Sequence, residues 1–466
     1  MKRIFFHLII YYLRFFAQAT LLVHKPTIIG IAGSVGKSST KQAVYAILKD
    51  YFSTKFTPGN SETGVPLGIL GIEITGYSAR DWLRVVLLAP LKIFNLLKTS
   101  ILIVEMGIDE PDPPRNMDYL LTIIKPDIAI YLNALPTHTL QFEKILTEKE
   151  KQLPQGEKLD ILLRAIAHED GKIITHSGCK RAIYNAGDQY ITNELKKFSS
   201  DHRVEFFTFG DKGDNSLLKH RLSLKESFFS LKTARGQIDL KFLGFLLPEE
   251  YAEIFLPALM VGQLLSLTNK QLKASLEKNL RLPKSRSSVF LGINNSVIID
   301  SSYNASKVAV VAFLKLLGQL KKQEKKDTVF VFGDMRELGE ATESEHKAVI
   351  KYLLNTVDYL YCVGPKTGQY VFEEIKKNGW ENKFKKLKHF ASATEAGTHL
   401  KENLPPDSIV LVKGSQNEIF LEELIKFILK NPHDAVHLCR QNNFWLKKKM
   451  LFFERKIVSV LLPDQI

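Results

Sequence analysis

The chain carries the segment Thr27-Ile-Ile-Gly-Ile-Ala-Gly-Ser-Val-Gly-Lys-Ser-Ser-Thr40 close to its N-terminus. A short apolar run leads into three glycines, and a lysine and two serines then open a helix-like stretch. Glycines let the backbone curl so that its N–H groups face an anion, and the following helix presents its N-terminus to the same anion. In such a loop Lys37 reaches the terminal phosphates of a nucleotide and the Ser38 hydroxyl ligates Mg²⁺. The segment predicts a phosphate-binding loop, although Ile31 stands where the usual pattern has its first glycine. The alternative is a glycine-rich turn that binds no nucleotide.

Size and composition indicate a large globular protein with a basic surface. A chain of 466 residues, 45% apolar and 24% charged, predicts two or three domains. The formal net charge of +14 favours an anionic partner, such as a nucleotide, a phosphorylated substrate or an acidic membrane face. The lysine runs lack the interleaved aromatic residues typical of nucleic-acid binding, so we expect no nucleic-acid partner. Three isolated cysteines (Cys179, Cys362 and Cys439) exclude a disulfide framework and predict a reducing, cytoplasmic location.

The N-terminal segment, residues 4–23, is strongly apolar and aromatic. It is barely long enough to span a bilayer, and Arg14 in its middle would be costly there. One interpretation is a helix that lies on the membrane surface, together with the apolar and basic stretch 82–97. This gives a peripheral membrane contact through residues 1–24. The other interpretation, a buried helix pair, is the one we favour.

Apolar runs alternate with helix-like stretches, which predicts an α/β architecture with parallel sheets. A helix is predicted at 39–49, a glycine- and proline-rich loop at 57–66, and a helical surface at 141–172. Strands are predicted at 101–104, 128–132, 182–185, 204–209, 297–299, 328–332, 359–363 and 409–412. We therefore predict three parts: an apolar helix at 1–24, a central P-loop ATPase domain with a parallel sheet at 25–282, and a C-terminal Rossmann-like α/β domain at 283–466.

Polar side chains follow several of these strands, where parallel sheets place their binding sites. Glu105 ends a strand of the central domain, and a carboxylate there can hold the Mg²⁺ that bridges nucleotide phosphates. His138 follows the next strand, and we interpret it as a site residue rather than a structural one. Three polar segments, 300–306, 333–340 and 413–415, follow strands of the C-terminal domain and predict a ligand-binding face. Any one of them alone would also fit an ordinary strand-to-helix turn.

Together these residues resemble the Mur ligase family, whose members are ATP-dependent amide-forming enzymes of peptidoglycan synthesis. The likeness covers residues 25 to 446 and is greatest to the MurF type, which joins D-alanyl-D-alanine to UDP-N-acetylmuramoyl-tripeptide. The motifs that carry it are Gly33–Thr40, Gly59-Asn60 with Gly64-Val-Pro66, Glu105-Met-Gly107, Asn133 with His138, Arg286, Asp300 with Tyr303-Asn304-Ala305, Gly333-Asp-Met335 with Glu337-Leu-Gly339 and His346, and Lys413-Gly-Ser415.

The resemblance implies that ATP phosphorylates a substrate carboxylate and that an amine then attacks the acyl phosphate. It assigns catalytic roles to Lys37, Glu105 and His138, and metal ligation to Ser38, Glu105 and His138. It assigns the nucleotide to Gly33, Ser34, Val35, Gly36, Lys37, Ser38, Ser39, Arg286, Asp300 and Asn304. The last three would reach it from the C-terminal domain, and domain closure would complete the site. The muramyl-peptide-like acceptor would meet Asn60, Thr63 and Gly64, and the amino acid or dipeptide would meet Tyr303.

The chain also departs from the family pattern. Only about 25 residues precede the phosphate loop, where MurF-type proteins have a folded domain that grips the UDP-sugar. The family's Gly-x-His-Asn segment appears as Pro248-Glu-Glu-Tyr251, and its Asn-Ala-Asp-Asp turn as Asn185-Ala-Gly-Asp188. Upstream of that turn the family has a carbamylated lysine that bridges metal ions. The same register falls here on Glu169, and the hypothesis is that its carboxylate supplies the charge of the carbamate as a metal ligand.

Three functions stay open at this stage. The first is a monomeric Mur-type ligase on a muramyl-peptide-like acceptor. The second is a divergent ligase on a lipid-linked, amino-acid or polyglutamate acceptor. The third is a nucleotide-binding, membrane-attached scaffold without catalysis. Phosphate release that depends on substrate separates the enzymes from the scaffold.

Overall fold

The computed structural model describes residues 2–74, 78–137, 139–198, 203–415 and 419–461, with side chains from residue 6 to residue 452 of these ranges. Contacts within the chain divide it into two units. The first unit comprises Met1–His220, Phe228–Lys241 and Glu250–Arg281. The second comprises Arg221–Ser227, Phe242–Glu249 and Leu282–Ile466. The N-terminal helix belongs to the first unit rather than standing apart from it.

Fifteen strands are found in the described residues, and they form two six-stranded sheets and one three-stranded sheet. The strands are β1 (Thr27–Ala32), β2 (Thr54–Phe56), β3 (Ile101–Glu105), β4 (Ile128–Tyr131), β5 (Arg181–Asn185), β6 (Glu205–Phe209), β7 (Ser216–Ser223), β8 (Glu226–Thr233), β9 (Gly236–Leu243), β10 (Ser288–Leu291), β11 (Val297–Ser301), β12 (Thr328–Gly333), β13 (Tyr359–Val363), β14 (Lys386–Phe390) and β15 (Ile409–Lys413).

The helices fill the connections between these strands. They are α1 (Lys2–His24), α2 (Lys37–Leu48), α3 (Gly64–Leu70), α4 (Ala79–Leu88), α5 (Met117–Ile123), α6 (Thr139–Phe142), α7 (Gln155–Thr175), α8 (Gln189–Lys196), α9 (Ala252–Leu264), α10 (Asn269–Asn279), α11 (Lys307–Glu324), α12 (Thr342–Lys347), α13 (Ile350–Thr356), α14 (Pro365–Thr367), α15 (Glu373–Lys377), α16 (Ala393–Asn403), α17 (Glu422–Ile428) and α18 (Asn443–Leu461). Short 3-10 turns supplement them, including Pro90–Leu96 directly after α4.

The sheet of the first unit has the strand order β2-β3-β1-β4-β5-β6, and every neighbouring pair is parallel. Its central strands are continuous apolar runs because helices cover both faces of a parallel sheet. Strand β1 lies between β3 and β4, with Ile31 opposite both Glu105 and Ile130. The segments that follow these three strands therefore meet at one edge of the sheet. The predicted α/β architecture with a parallel sheet is confirmed.

Helix α1 packs along the first unit with one face buried. Ile9 and Leu13 join a cluster with side chains of α3 and α4, and Ile10 and Ala17 join the main core of the unit. The Tyr12 hydroxyl donates a hydrogen bond of 2.8 Å to the carbonyl of Val86 in α4. Among the described helices, only the stretch 6–24 is long and apolar enough to cross a membrane, by length and composition alone. One face of α1 thus packs against the first unit, and the opposite face is exposed.

The second unit is built on the sheet β10-β11-β15-β12-β13-β14. All neighbouring pairs are parallel except β10 with β11, which is antiparallel. The four strands predicted for this domain are confirmed as β11, β12, β13 and β15. Because β15 lies between β11 and β12, the polar segments that follow these three strands come together at one edge, as predicted.

Six strands escaped prediction, and one of them is β2, at an edge of the first sheet. β10 and β14 lie at the two edges of the second sheet, and β7, β8 and β9 form the three-stranded sheet. Edge strands carry exposed and charged side chains, as in Lys386-Leu-Lys-His-Phe390. Two further corrections concern helices. The predicted loop 57–66 gives way to α3 at Gly64, and the predicted surface helix 141–172 buries Glu169, Asp170 and Lys172 near its end.

Candidate active site

The loop between β1 and α2 has the backbone of a phosphate-binding loop. Gly33 and Gly36 have φ angles of 128° and 93°, which a residue with a Cβ adopts only under strain. A Cβ on Gly33 would also lie 3.0 Å from the backbone nitrogen of Asn133. Helix α2 starts at Lys37, so its free N–H groups open toward the loop. The Lys37 ammonium folds back onto this loop and donates to the carbonyls of Gly33 and Ser34.

Asn133, just after β4, ties the phosphate loop to the neighbouring strand. Its side-chain oxygen accepts from the Val35 N–H at 2.8 Å, and its amide nitrogen donates to the Val35 carbonyl at 3.0 Å. The Ser34 N–H donates to the Asn133 carbonyl at 2.9 Å. Ser34 also exchanges two hydrogen bonds with the backbone of Leu135 through its hydroxyl. The phosphate loop and the segment after β4 therefore form one hydrogen-bonded body.

Glu105 is the centre of a buried polar cluster beside the loop. The residue is 5% exposed, and one carboxylate oxygen accepts from the Ser38 hydroxyl at 3.0 Å and from the Asn60 amide at 3.2 Å. The other carboxylate oxygen lies 2.9 Å from the ammonium of Lys41. Burial opposes ionisation of Glu105, but the charges of Lys41 and Lys37 and these hydrogen bonds outweigh it and lower its pKa. Glu105 is therefore an anion held next to the first turn of α2.

A small cavity adjoins the loop on the side of α7. It is lined by Gly33, Ser34, Lys37, Ile108, Thr137, Phe142, Ile166 and Asp170. Asp170 is only 2% exposed, so its carboxylate is held within the protein next to the residues that would face a nucleotide phosphate. It is a candidate site residue that the sequence did not single out.

Glu169, the residue predicted to hold a metal, points elsewhere. Its carboxylate accepts from the backbone N–H of Met117 at 2.8 Å and from the Lys172 ammonium at 2.6 Å. Lys172 also contacts Asp118 at 2.6 Å. Burial disfavours charge on Lys172, but these two carboxylates outweigh it and raise the pKa of the ammonium. Glu169 thus belongs to a structural ion-pair group, and its neighbour Asp170 reaches the cavity instead.

The predicted acceptor loop lies against Glu105 through Asn60. Besides its side-chain contact, Asn60 accepts from the Gly107 N–H at 2.9 Å through its carbonyl. The backbones of Gly59 and Gly64 cross so closely that a Cβ on Gly59 would lie 2.7 Å from the Cα of Gly64. Thr63 is the residue directly before α3 and is partly exposed. Asn60, Thr63 and Gly64 are therefore displayed by one tightly crossed loop next to the phosphate site.

In the second unit, Arg286 stands on a strained loop. Both neighbours, Ser285 and Ser287, have left-handed backbones with φ angles of 58° and 70°. Such conformations in residues other than glycine cost energy and cluster at functional sites. The Ser285 hydroxyl donates to Asp300 at 2.6 Å, and the Asp300 carboxylate also accepts from the Ser302 N–H at 3.0 Å. Asp300 is fully buried, and burial raises its pKa. Within this unit it positions the loop that carries Arg286.

Tyr303 and Lys413 complete the polar edge of the second sheet. The Arg286 guanidinium lies 4.7 Å from the centre of the Tyr303 ring. The Lys413 ammonium donates to the Asn304 carbonyl at 2.9 Å and to the Ser301 hydroxyl at 3.2 Å. Burial, with a smaller contribution from the charge of Arg286, lowers the pKa of Lys413 to about 7.

His346 is a structural member of the same edge. Its Nε2 accepts from the Met335 N–H at 3.0 Å, so its Nδ1 donates to the Thr342 carbonyl at 2.6 Å. Burial lowers the pKa of this histidine, in agreement with a neutral ring. His346 therefore holds the segment after β12 in place.

The structure brings together Gly33, Ser34, Val35, Gly36, Lys37, Ser38, Glu105 and Asn60 in the first unit, and Arg286, Asp300, Tyr303 and Asn304 in the second. Ser39, in the first turn of α2, is buried. His138 lies outside the described residues. Lys41 and Asp170 were not selected from the sequence. Each is a charged residue directly beside a position that was selected, and this was the signal that could have indicated them.

A segment of the second unit matches a known family. Residues 286–416 match the family model described as Mur ligase, glutamate ligase domain. Together with the strand orders above, this match decides the architecture. The chain has a Mur ligase domain and the Mur ligase fold.

Relatives that align with most of the chain include ligases of peptidoglycan precursor synthesis. The chain is 25% identical over 417 residues to UDP-N-acetylmuramoyl-tripeptide--D-alanyl-D-alanine ligase of Borreliella burgdorferi, and the alignment covers 86% of this chain and 75% of the relative. The enzyme of the same name from Bacillus subtilis is 23% identical, and the alignment covers 89% of this chain and 79% of the relative. The chain thus spans about three quarters of the length of these relatives.

Solved structures show the same fold. MurF from Acinetobacter baumannii superposes with a TM-score of 0.67 at 20% identity, and the superposition covers 88% of this chain and 78% of that one. MurF ligase from Thermotoga maritima in complex with ADP gives a TM-score of 0.66 at 21% identity, with 90% and 83% covered. A single-residue mutant of L. casei FPGS gives 0.56 at 14% identity, with 90% and 94% covered. The prediction of a P-loop domain joined to a Rossmann-like domain is confirmed at the level of fold.

Proposed function

We propose that the chain is an ATP-dependent, ADP-forming ligase of peptidoglycan precursor synthesis that joins D-alanyl-D-alanine to UDP-N-acetylmuramoyl-tripeptide. The observation that carries the proposal is the placement of Glu105 and Ser38 beside the loop of Lys37. Support for the substrates comes from the names of the relatives and from the ADP complex of the Thermotoga maritima structure.

The residues of the first unit suit the activation of a carboxylate. An oxygen of the acceptor carboxylate attacks the γ-phosphorus of ATP, the bond to the bridging oxygen breaks, and ADP leaves. Lys37, released from the loop carbonyls, neutralises the transferring phosphoryl group, and the backbone N–H groups of the loop receive phosphate oxygens. The amine of the second substrate then attacks the acyl carbon and loses a proton, and inorganic phosphate departs. Burial of the site beside α7 limits attack by water on the acyl phosphate.

Ser38 and Glu105 fit Mg²⁺. A hydroxyl and a carboxylate oxygen lie 3.0 Å apart, and Mg²⁺ prefers one or two protein oxygens together with phosphates and waters. Among the described residues no group of three or more histidine, cysteine or acidic side chains is arranged to hold a metal. When bound, the ion would offset the negative charge of the phosphates. We assign a supporting negative charge to Asp170 rather than to Glu169.

The second unit supplies the candidate site for the amine substrate. Arg286 and Tyr303 form a stacked pair at the edge of the sheet, and Lys413 is buried at the end of β15. An arginine on a strained loop is a suitable partner for a substrate carboxylate, which the amino acid or dipeptide carries.

A ligase on another acceptor, such as an amino acid or a polyglutamate chain, is the second candidate. One observation favours it: the superposition covers 94% of the L. casei FPGS mutant, compared with 78% of MurF from Acinetobacter baumannii.

Phosphate release from Mg-ATP separates these functions. The purified chain receives UDP-N-acetylmuramoyl-tripeptide and D-alanyl-D-alanine, singly and together, with Lys37→Ala as the control variant. We expect release only with both substrates, and none from the variant. If ATP binds but phosphate release is stimulated neither by the two substrates together nor by either one alone, this substrate pair is rejected. Stimulation of phosphate release by glutamate or by a polyglutamate acceptor would then establish the second candidate. Binding of ATP without turnover in the presence of any of these acceptors would support the third function, a nucleotide-binding scaffold without catalysis.

A further inference from the structure

Two neighbouring elements of the first unit expose an unusual number of large apolar side chains. These side chains, which we call the outer apolar surface, are Leu8, Tyr11, Phe15, Leu22, Val23, Leu83, Leu87, Leu91, Phe94 and Leu97. Leu91 is 73% exposed and Leu22 is 71% exposed, so neither packs on the protein. A contiguous apolar surface of this kind marks an interaction site.

The outer apolar surface belongs to elements that are packed side by side. On α1, residues 8, 11, 15 and 22 follow helical spacing and lie opposite the buried Ile9, Leu13 and Ala17. The same α1 contacts α4 through Tyr12, and its last residue, His24, lies 3.0 Å from the carbonyl of Ile93 in the following 3-10 turns. The rings of His24 and Phe94 are 6.2 Å apart. The apolar faces of α1 and of the segment 83–97 are thus adjacent.

The charge around this surface is strongly positive. Residues 1–25 contain Lys2, Arg3, Arg14 and Lys25 and no acidic residue. Residues 78–98 contain four further basic residues, Arg80, Arg84, Lys92 and Lys98, against the single Asp81. Lys25 and these four basic residues of the second segment are exposed. Basic side chains around apolar and aromatic ones are the composition of a helix that lies at the interface of an anionic bilayer.

We propose that the outer apolar surface docks the protein onto an anionic lipid bilayer, with α1 in the plane of the membrane. The opposite face of α1 is committed to the protein core, so the helix cannot turn to span the bilayer without exposing Ile9, Ile10 and Leu13. Arg14 is also tied to the protein, since it contacts the Thr122 hydroxyl at 3.3 Å and the ring of Tyr119. A second copy of the chain would bring two basic surfaces together, and their repulsion disfavours that occupant.

Vesicle flotation with the full-length protein tests this inference. One set of vesicles contains phosphatidylcholine alone, and the other contains phosphatidylcholine with phosphatidylglycerol. We expect binding to the anionic set, at least tenfold weaker binding to the neutral set, and a decrease as salt is raised. The double variant Leu87→Glu and Leu91→Glu should lose at least tenfold of the binding. The matched control, Leu243→Glu and Leu291→Glu, replaces leucines of similar exposure elsewhere and should bind as the wild type does.

The reverse-charge variant Arg84→Glu and Lys92→Glu leaves the apolar side chains intact and keeps the inference testable if the leucine variant fails to fold. It should lose the preference for anionic vesicles. Absence of binding to anionic vesicles, or unchanged binding by both variants, would overturn the proposal. So would a wild-type dimer in sedimentation velocity, without lipid, that Leu87→Glu and Leu91→Glu dissociate, because the surface would then be an interface between two copies.

Discussion

At the scale of single residues, the candidate site depends on how buried charges are balanced. Glu105 stays ionised because Lys41 is paired with it at 2.9 Å, while Ser38 donates to the same carboxylate. Lys41 also donates to the Thr57 carbonyl at 3.0 Å, so it is fixed rather than free to follow a ligand. Within the described part of the chain, Lys37 donates to two backbone carbonyls, and this leaves Lys37 as the cation that can move to a phosphate.

The first prediction separates Asp170 from Glu169. Asp170→Asn removes a charge from the cavity beside Lys37, and we expect substrate-dependent phosphate release to fall about 100-fold with a higher Mg²⁺ requirement. Glu169→Gln leaves Lys172 paired with Asp118 and should mainly cost about 1–3 kcal/mol of unfolding free energy. Steady-state kinetics at several Mg²⁺ concentrations measure the rate of phosphate release and the Mg²⁺ requirement. Denaturant unfolding measures the free energy of unfolding. Unchanged kinetics in Asp170→Asn would remove this residue from the site.

A second prediction concerns Lys413, whose pKa is lowered from 10.5 to about 7. Between these pH values the unfolded chain binds one more proton at this position than the folded chain, so stability rises with pH in this window. Lys413→Met removes that contribution. The slope of unfolding free energy against pH between 8 and 10 should therefore be about 1.4 kcal/mol per pH unit smaller in the variant. Parallel curves for the two proteins would show that Lys413 keeps an ordinary pKa.

At the scale of elements, loops positioned by buried strands carry the site. The crossing of Gly59 and Gly64 brings Asn60 to Glu105 and starts α3 directly afterwards. Neither glycine has room for a side chain, since a Cβ on Gly64 would lie 2.9 Å from the Cα of Gly59. The geometry of this loop is therefore set by backbone contact rather than by side-chain packing.

The third prediction tests that crossing. Gly59→Ala and Gly64→Ala should each destabilise the first unit and raise the KM for the acceptor at least tenfold, because the backbones must separate and Asn60 moves with them. Gly156→Ala is the matched control. It adds a methyl group to α7 in open space and should raise stability by about 0.5–1 kcal/mol without a kinetic effect. Normal KM values in both loop variants would contradict the assignment of the loop.

The burial of each strand decides whether the sequence could predict it. Strands β1, β3, β4, β12 and β15 are continuous apolar runs because both faces are covered, so they were predictable. Strand β9 alternates exposed and buried residues, as in Gly236-Gln-Ile-Asp-Leu-Lys-Phe-Leu243. Because polar residues interrupt its apolar ones, it does not form a continuous apolar run. A search for period two would have found it. The edge strand β14 shows no clear pattern of this kind, since three of its five residues are lysine or histidine.

At the scale of the whole molecule, the fold is that of a two-unit ligase, and nucleotide binding should stabilise it. The residues of the phosphate site were predictable because a motif fixes them locally, and because parallel strands bring Lys37, Ser38 and Glu105 together. Asp170 was not, because adjacent residues of a helix point about 100° apart and only tertiary packing decides which one faces the site. Strain at Ser285 and Ser287 likewise has no signature in the sequence.

The fourth prediction follows from linkage between binding and folding. Mg-ATP at 100 times its Kd should raise the unfolding free energy by about 2.7 kcal/mol. Removal of Mg²⁺ by EDTA should abolish most of this gain, because the Ser38–Glu105 pair then faces the phosphates without a cation. Lys37→Ala should abolish it as well. Thermal unfolding followed by calorimetry measures all three, and an equal gain with ATP in EDTA would exclude a Mg²⁺-dependent nucleotide site.

The amide of Asn133 has a consequence for how the protein ages. Both ends of this amide are committed to Val35. Deamidation consumes water, releases ammonia and leaves aspartate or isoaspartate at position 133. In either product a carboxylate stands in place of the amide group that donates to the Val35 carbonyl. A slow covalent change of one residue would thus turn a loop that receives anions into one that repels them. In stored preparations, activity would decrease while the molecule stays folded, and the lost fraction would equal the fraction of chains that carry aspartate or isoaspartate at position 133.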